Sequence, residues 1–210
     1  MKKNINFLDL GLQPLANNYI KKNQLINKEK KYRLKIGVNL KTKLVSINKP
    51  ISSKIMFNNR YPYRSSKSKT MIESFKNLSV LVNKKFKPNK ILEIGSNDGS
   101  FIKNFSKKKV IGIEPCSNVE KITKKMGFNT YPKYWNYKTA KQLLKKNGKV
   151  NLIYSANTIS HIKNLDEVFK SINIVLDDHG VFIIEDPSLL ECLKKNTYDQ
   201  FYNEHIYVFS

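Results

Sequence analysis

Residues able to do chemistry concentrate first in Glu93-Ile94-Gly95-Ser96-Asn97-Asp98-Gly99-Ser100-Phe101. This stretch completes a short apolar run, Ile91-Leu92-Glu93-Ile94, and leads into further apolar residues. Gly95 allows a tight turn, and the missing Cβ atoms of Gly95 and Gly99 let a ligand lie against the backbone. A dinucleotide fingerprint would carry another glycine where this chain has Asn97, followed by acidic Asp98. A carboxylate there repels a pyrophosphate, so a neutral or cationic ligand is expected. A second acid, in Ile113-Glu114-Pro115, closes the next apolar run, Val110-Ile111-Gly112-Ile113. A carboxylate at that strand end can accept both ribose hydroxyls of an adenosine. Loop and acid together point to S-adenosylmethionine (SAM) rather than NAD. The plain alternative is an ordinary glycine-rich strand-to-helix turn.

The elements that must position these residues follow a regular pattern. From Lys90 onward, short apolar runs alternate with helical spacings. Ile91–Ile94, Val110–Ile113, Val150–Tyr154 and Val181–Ile184 read as strands. Helices are expected through Phe101, Ile102 and Phe105, through Val119, Ile122 and Met126, and over Lys141–Lys146. Leu165, Val168, Phe169, Ile172, Val175 and Leu176 form an amphipathic stripe with Asn164 as N-cap. Asp177-Asp178-His179-Gly180 reads as a turn. Nearly all-apolar strands alternating with helices mean an open α/β, Rossmann-like parallel sheet covered on both faces. Such sheets bind ligands at the carboxyl ends of their strands.

Upstream, residues 1–66 read as a small irregular module and linker, and 67–210 as the ligand-binding domain. Tyr32–Leu40 and Lys43–Asn48 are strand-like, and Tyr61-Pro62-Tyr63-Arg64-Ser65-Ser66 is a polar, aromatic linker. Met71, Phe75, Leu78 and Val82 recur at helical spacing after it.

The formal net charge of +23 invites a nucleic-acid reading. The basic residues, however, are 36 Lys and three Arg (Arg33, Arg60, Arg64), beside 25 Asn and 22 Ile. Those are residues of A/T-rich codons, whereas readers of phosphates and bases lean on Arg. Nucleic acid is therefore set aside as a partner. No apolar run approaches a membrane span, and no signal peptide is visible. Two cysteines, Cys116 and Cys192, make neither a disulfide framework nor a complete zinc site, so the reducing cytoplasm is the expected compartment.

Several segments carry a resemblance to a known family. Asp9-Leu10-Gly11-Leu12-Gln13-Pro14-Leu15-Ala16-Asn17, Tyr61–Ser66, Glu93–Phe101, Ala156-Asn157-Thr158-Ile159-Ser160-His161-Ile162 and Tyr202-Asn203-Glu204-His205 resemble, in the same order, the SAM-dependent sugar C-methyltransferases. These enzymes methylate nucleotide-linked 4-keto deoxysugars. The resemblance implies a class I SAM-dependent methyltransferase sheet. It implies that His205 removes the proton alpha to a keto group, with Glu204 and Tyr202 assisting. His161 and a tyrosine of the 61–63 segment, Tyr63 or Tyr61, would complete the pocket. Glu93, Gly95, Ser96, Asn97, Asp98, Gly99, Glu114, Pro115 and Asn157 would hold SAM. The chemistry agrees: a carbon nucleophile needs deprotonation, histidine titrates near neutral pH, and tyrosine hydroxyls stabilise an enolate. Tyr134 and Trp135 belong either to the core or to an adenine wall.

Two departures stand out. Family members carry paired zinc cysteines where this chain has Asn39 and Thr42, so no metal is expected. The family also continues beyond the point matching Ser210. The expectation is a nucleotide-linked sugar as substrate and an open sheet edge at Val181–Ile184. Either a separate chain supplies the rest and covers that edge, or a second copy does, or the sequence is a gene fragment. On this reading His205, five residues from the last, depends on that cover for its position. The alternative function is a SAM-binding but inactive remnant, or a subunit needing a separate C-terminal partner.

Overall fold

The computed structural model describes residues 4–20, 22 and 29–210, which fall into two compact units. One takes its described residues from Met1–Met56, Ser160–Lys163 and Asp186–Ser210; the other comprises Phe57–Ile159 and Asn164–Glu185. The units are therefore not two consecutive stretches of chain.

The first unit begins with an antiparallel meander, β1 (Asn4–Gln13), β2 (Tyr32–Asn39) and β3 (Val45–Ile47), followed by the single-turn helix α1 (Ser53–Met56). Alternation builds it: Leu34, Ile36, Val45 and Ile47 are buried on one face and pack with Leu8, Leu10 and Val38. The opening expected to be irregular is thus a ten-residue strand. Its period is masked by breaks in register against β2 between Asn6 and Leu8 and between Asp9 and Leu12.

The second unit holds α2 (Lys69–Phe86), β4 (Ile91–Ile94), β5 (Val110–Ile113), α3 (Ser117–Lys125), β6 (Asn129–Tyr131), α4 (Tyr137–Asn147), β7 (Val150–Ala156), α5 (Leu165–Val175) and β8 (Leu176–Glu185). The strands form one parallel sheet in the order β6-β5-β4-β7-β8. This is the Rossmann-like order, with all carboxyl ends on one side. Helix α2 starts where Ser68 Oγ accepts the Met71 N–H and stops at Lys87, whose φ is +44°. Asn164 caps α5 as expected, accepting from Glu167 N.

Three elements differ from the sequence reading. Residues 101–105 form only a 3-10 turn over Ile102–Asn104, not an α-helix. Phe101, Ile102 and Phe105 are all buried, with Phe101 packed on Phe75, Phe105 and Tyr154. A regular helix would present one stripe and leave part of this set in water. Strand β6 carries no apolar run, and only its central Thr130 is buried. Finally, residues 177–180 do not turn away but belong to β8. An added Cβ on Gly180 would lie 2.6 Å from Leu176 Cδ1, so the backbone bends tightly within the strand at a register irregularity.

The chain returns to the first unit with α6 (Leu189–Lys195) and β9 (Tyr207–Val208). β9 pairs antiparallel with β3, Val45 opposite Val208, and Ile47 N donates to Ile206 O at 2.8 Å. The residues just before β9 are therefore anchored by the N-terminal sheet. The expected dependence of His205 on a missing cover is corrected on this point. Among the described residues no helix is long and apolar enough to cross a membrane.

Candidate active site

At the carboxyl ends of β4 and β5 the loop 95–100 folds back on the sheet. Gly95 N and Ser96 N both donate to Ile113 O, at 2.8 and 2.9 Å. Gly95 has φ +77°, and a Cβ built on it would lie 2.0 Å from Thr158 Oγ1. Gly99, at φ +83°, would meet Thr123 Cγ2 at 2.7 Å. The close approach that requires these glycines is thus made by the protein's own threonines, not by an open cradle at their Cα atoms.

Glu114 ties the loop to the next turn. Its Oε2 accepts Asn97 N at 2.9 Å and its Oε1 accepts Cys116 N at 2.8 Å. Burial pushes this carboxyl up, and the two N–H groups together with the Cys116 thiol hold it back. A carboxylate has about four lone-pair sites, so one remains for a hydroxyl donor. Pro115 follows, half-buried, in the same turn. Asn157, at φ +46°, sits at the carboxyl end of β7 and donates its N–H to Glu185 O at 2.7 Å.

Asp98 does something the sequence did not suggest. Expected among the residues that hold SAM, it accepts from Ser65 Oγ at 3.0 Å, from Ser66 N at 3.3 Å, from Ser100 Oγ at 3.1 Å and from Ser66 Oγ. A buried carboxylate must be hydrogen-bonded, and the nearest donors are these hydroxyls. Asn97 adds two more ties: its Oδ1 accepts Ser65 N and its Nδ2 donates to Tyr63 O. Asn118 Nδ2 donates to Tyr61 O at 2.8 Å, and the Tyr134 hydroxyl donates to Phe57 O at 2.6 Å. Residues 57–66 are accordingly a strap fastened along the loops rather than a linker. Tyr61 is buried against Phe57, whereas Tyr63 is 45% exposed, and partial burial with nearby Asp98 pushes its hydroxyl up.

Several polar atoms at this end are buried with no hydrogen-bond partner among the described residues: Glu93 Oε2, Ser96 Oγ, Asn118 Oδ1 and Trp135 Nε1. Native proteins leave few such groups, and each calls for an explanation. Asn118 and Trp135 offer an acceptor and a donor suited to adenine, and Glu114 suits a ribose. The residues present fit an adenosine-bearing cationic ligand.

In the first unit, His161 and His205 are stacked, with ring centroids 5.1 Å apart and planes 22° from parallel. His205 Nδ1 lies 2.9 Å from Gln200 O and Nε2 lies 2.8 Å from the Tyr202 hydroxyl. A carbonyl oxygen can only accept, so Nδ1 carries the hydrogen and the Nε2 lone pair accepts from Tyr202. Burial depresses His205 to about 4, and burial together with His205 depresses His161 to about 3. Both rings are neutral at pH 7. Glu204 is buried, with Oε1 accepting Asn17 Nδ2 at 2.9 Å. Asp186 Oδ1 accepts Ser160 N at 3.3 Å. Asn17 appeared in the sequence only as part of a resemblance, while Asp186 and the Gln200 carbonyl carried no signal that pattern reading could use.

The comparisons with known proteins agree with this architecture. The methyltransferase domain family matches residues 65–210, and a family described as a zinc binding domain matches residues 2–57. The chain belongs to the methyltransferase domain family. Its second unit has the Rossmann-like fold of the SAM-dependent methyltransferases. The C-methyltransferase NovU of Streptomyces niveus is 25% identical over 211 residues, covering 98% of this chain and 50% of that protein. This chain thus spans about half the length of the curated relative it matches. Among solved structures, the plantazolicin methyltransferase BamL, crystallised with a triazolic desmethylPZN analog and SAH, has a TM-score of 0.51 at 18% identity. That match covers 70% of this chain and 60% of BamL. Streptomyces venezuelae DesVI gives 0.47 at 15% identity, over 60% and 54% of the two chains.

The residues of the 2–57 match do not fit zinc, because the segment contains neither cysteine nor histidine. At Asn39 the turn is closed by its own hydrogen bonds. Asn39 Oδ1 accepts from Lys41 N and Thr42 N at 2.9 and 3.0 Å, and Lys43 N donates to Asn39 O.

Proposed function

We propose that the chain transfers a methyl group from SAM to carbon in a nucleotide-linked keto-deoxysugar. The likeness to NovU supports C-methylation, and the observation that carries the reading is the neutral, oriented His205. Glu93, Gly95, Ser96, Asn97, Gly99, Glu114, Pro115 and Asn157 are assigned to the methyl donor, with Glu114 on the ribose. Asp98 is assigned to holding the strap that carries Tyr63. When bound, SAM supplies an electrophilic methyl on a sulfonium.

The acceptor needs a carbanion equivalent, which forms by loss of the proton alpha to the ketone. His205 is the base. Its Nε2 already accepts from the Tyr202 hydroxyl, so the two act as one unit. A proton taken by Tyr202 Oη is matched by transfer of the hydroxyl proton to Nε2, while the Gln200 carbonyl holds Nδ1–H and supports the imidazolium. Glu204 and His161 position this pair. The positive chain favours an anionic, nucleotide-linked substrate.

The test is deuterium wash-in at the carbon alpha to the ketone, read by NMR, with SAM consumption followed separately. His205→Asn should lower exchange about 10²- to 10⁴-fold and leave SAM affinity within about twofold. Undiminished exchange would remove His205 from the mechanism and leave His161 as the next base.

A second reading rests on one observation: β8 is an edge of the parallel sheet, with half-exposed Val181, Phe182 and Ile183 and exposed Ile184. Such an edge suits pairing with another chain. On that reading the protein binds SAM and methylates only with a partner chain or a second copy.

A further inference from the structure

The end of the sheet that holds the glycine loop carries three buried carboxyl groups, and they are not equivalent. Asp98 is satisfied by serine donors and Glu114 by two backbone N–H groups. Glu93 is 3% exposed, receives one backbone N–H, from Ile102, and has an Oε2 with no partner among the described residues. It stands in register with Gly112 of β5 and Tyr154 of β7, so its side chain lies on the face where Phe75, Phe101 and Tyr154 pack together. From the turn after β5 it faces Glu114 and from the loop Asp98, both acids. From β7 it faces Tyr154, whose hydroxyl is given to Glu185 of β8. Burying an ion among apolar rings and like charges, with one oxygen unpaired, costs far more than keeping a proton.

We infer that Glu93 is a neutral carboxylic acid in the free chain and that uptake of the cationic methyl donor displaces its proton to solvent. The inference rests on the SAM reading given above. The O–H bond of the Glu93 carboxyl breaks, the proton passes to buffer, and the resulting carboxylate is balanced by the positive charge of the incoming donor. No electrons are transferred. An opposite charge within about 4–6 Å lowers a carboxyl pKa by about 1–3 units, the direction that releases the proton. Glu93 thereby sets a preference for a cation over a neutral analogue. A permanently neutral side chain at that position cannot supply it.

Titration calorimetry with SAM in buffers of different ionisation enthalpy tests this. The wild-type heat should depend on buffer, with a slope near one proton released per SAM at pH 6–7. The slope should shrink at higher pH as Glu93 ionises unaided. Glu93→Gln should bind SAM with no buffer dependence and at least about tenfold more weakly. Should that variant fail to fold, the carboxyl carbon of Glu93 in ¹³C-Glu-labelled wild type gives the same answer. It should read as neutral acid in the free chain at pH 6–7 and as carboxylate with SAM bound. Heat that is independent of buffer, or a proton still released by Glu93→Gln, would overturn the inference alone. Absence of SAM binding in every buffer would overturn the methyl-donor reading itself.

Discussion

At the scale of single residues, Glu114 and His205 are both held by the backbone, and each is tuned by what it accepts or donates. Glu114 anchors two N–H groups across 17 and 2 positions of sequence while burial raises its pKa. Removing the carboxylate should free Asn97 N and Cys116 N and take away the acceptor proposed for the ribose at once. Glu114→Ala is therefore expected to weaken SAM by tenfold or more, about 1.4 kcal/mol or greater, measured by titration calorimetry. Glu114→Gln should recover part of the loss, because its amide oxygen can still accept one N–H. His205 is tuned differently: its ring is fixed by a carbonyl on one side and a hydroxyl on the other, so its tautomer is decided by partners rather than by solvent.

At the scale of elements, the strap of residues 57–66 and the turn at Asn39 replace things the sequence pattern left loose. Ser65 and Ser66 give Asp98 most of its donors, so replacing both leaves a buried carboxylate under-satisfied. Ser65→Ala/Ser66→Ala should cost about 1–3 kcal/mol and lower the thermal midpoint; Asp98→Asn in that background should recover part of it. Calorimetric melting of the three proteins decides this. At Asn39 the side-chain oxygen gathers two backbone N–H groups of the turn between β2 and β3, without thiolates. Protein purified without chelator should contain no stoichiometric zinc by elemental analysis. Asn39→Ala should destabilise the chain by about 1 kcal/mol in denaturant melts.

At the scale of the whole molecule, two buried neutral histidines set how stability responds to acid. Both have folded-state pKa values below the ordinary 6.5, at about 4 for His205 and about 3 for His161. Below pH 6.5 the unfolded chain binds protons that the folded chain refuses, so stability is fully present above pH 6.5. It falls as pH drops toward about 4. The loss is on the order of a few kcal/mol. Urea unfolding between pH 7 and 4.5 should show it, and His205→Asn should flatten it. The raised carboxyls Glu93 and Glu114 act with opposite sign: their protonated forms favour the folded state, and that contribution is lost as pH rises from 4.5. A stability maximum on the acid side of neutrality is the expected sum.

What the amino-acid sequence determined by itself was periodic or local. The strand runs Ile91–Ile94, Val110–Ile113 and Val150–Tyr154, the α5 stripe and its Asn164 cap were legible because a strand covered on both faces is a continuous apolar run and a buried helix face repeats every 3.6 residues. The glycine loop and Glu114 were legible because chain direction places strand ends next to one another in a parallel sheet. Tertiary structure alone decided what depends on partners far along the chain. Thr158 fills the space over Gly95, the serines of residue 65–66 claim Asp98, and β9 closes on β3 to anchor the residues around His205. Strand β6 exists because β5 offers it a ladder, not because Asn-Thr-Tyr has a strand pattern. Such contacts span from 18 residues, between β5 and β6, to more than 100, between β3 and β9, and no local periodicity records them. The protonation of Glu93 is of the same kind, since a carboxyl group ionises according to its surroundings, which only the assembled sheet supplies.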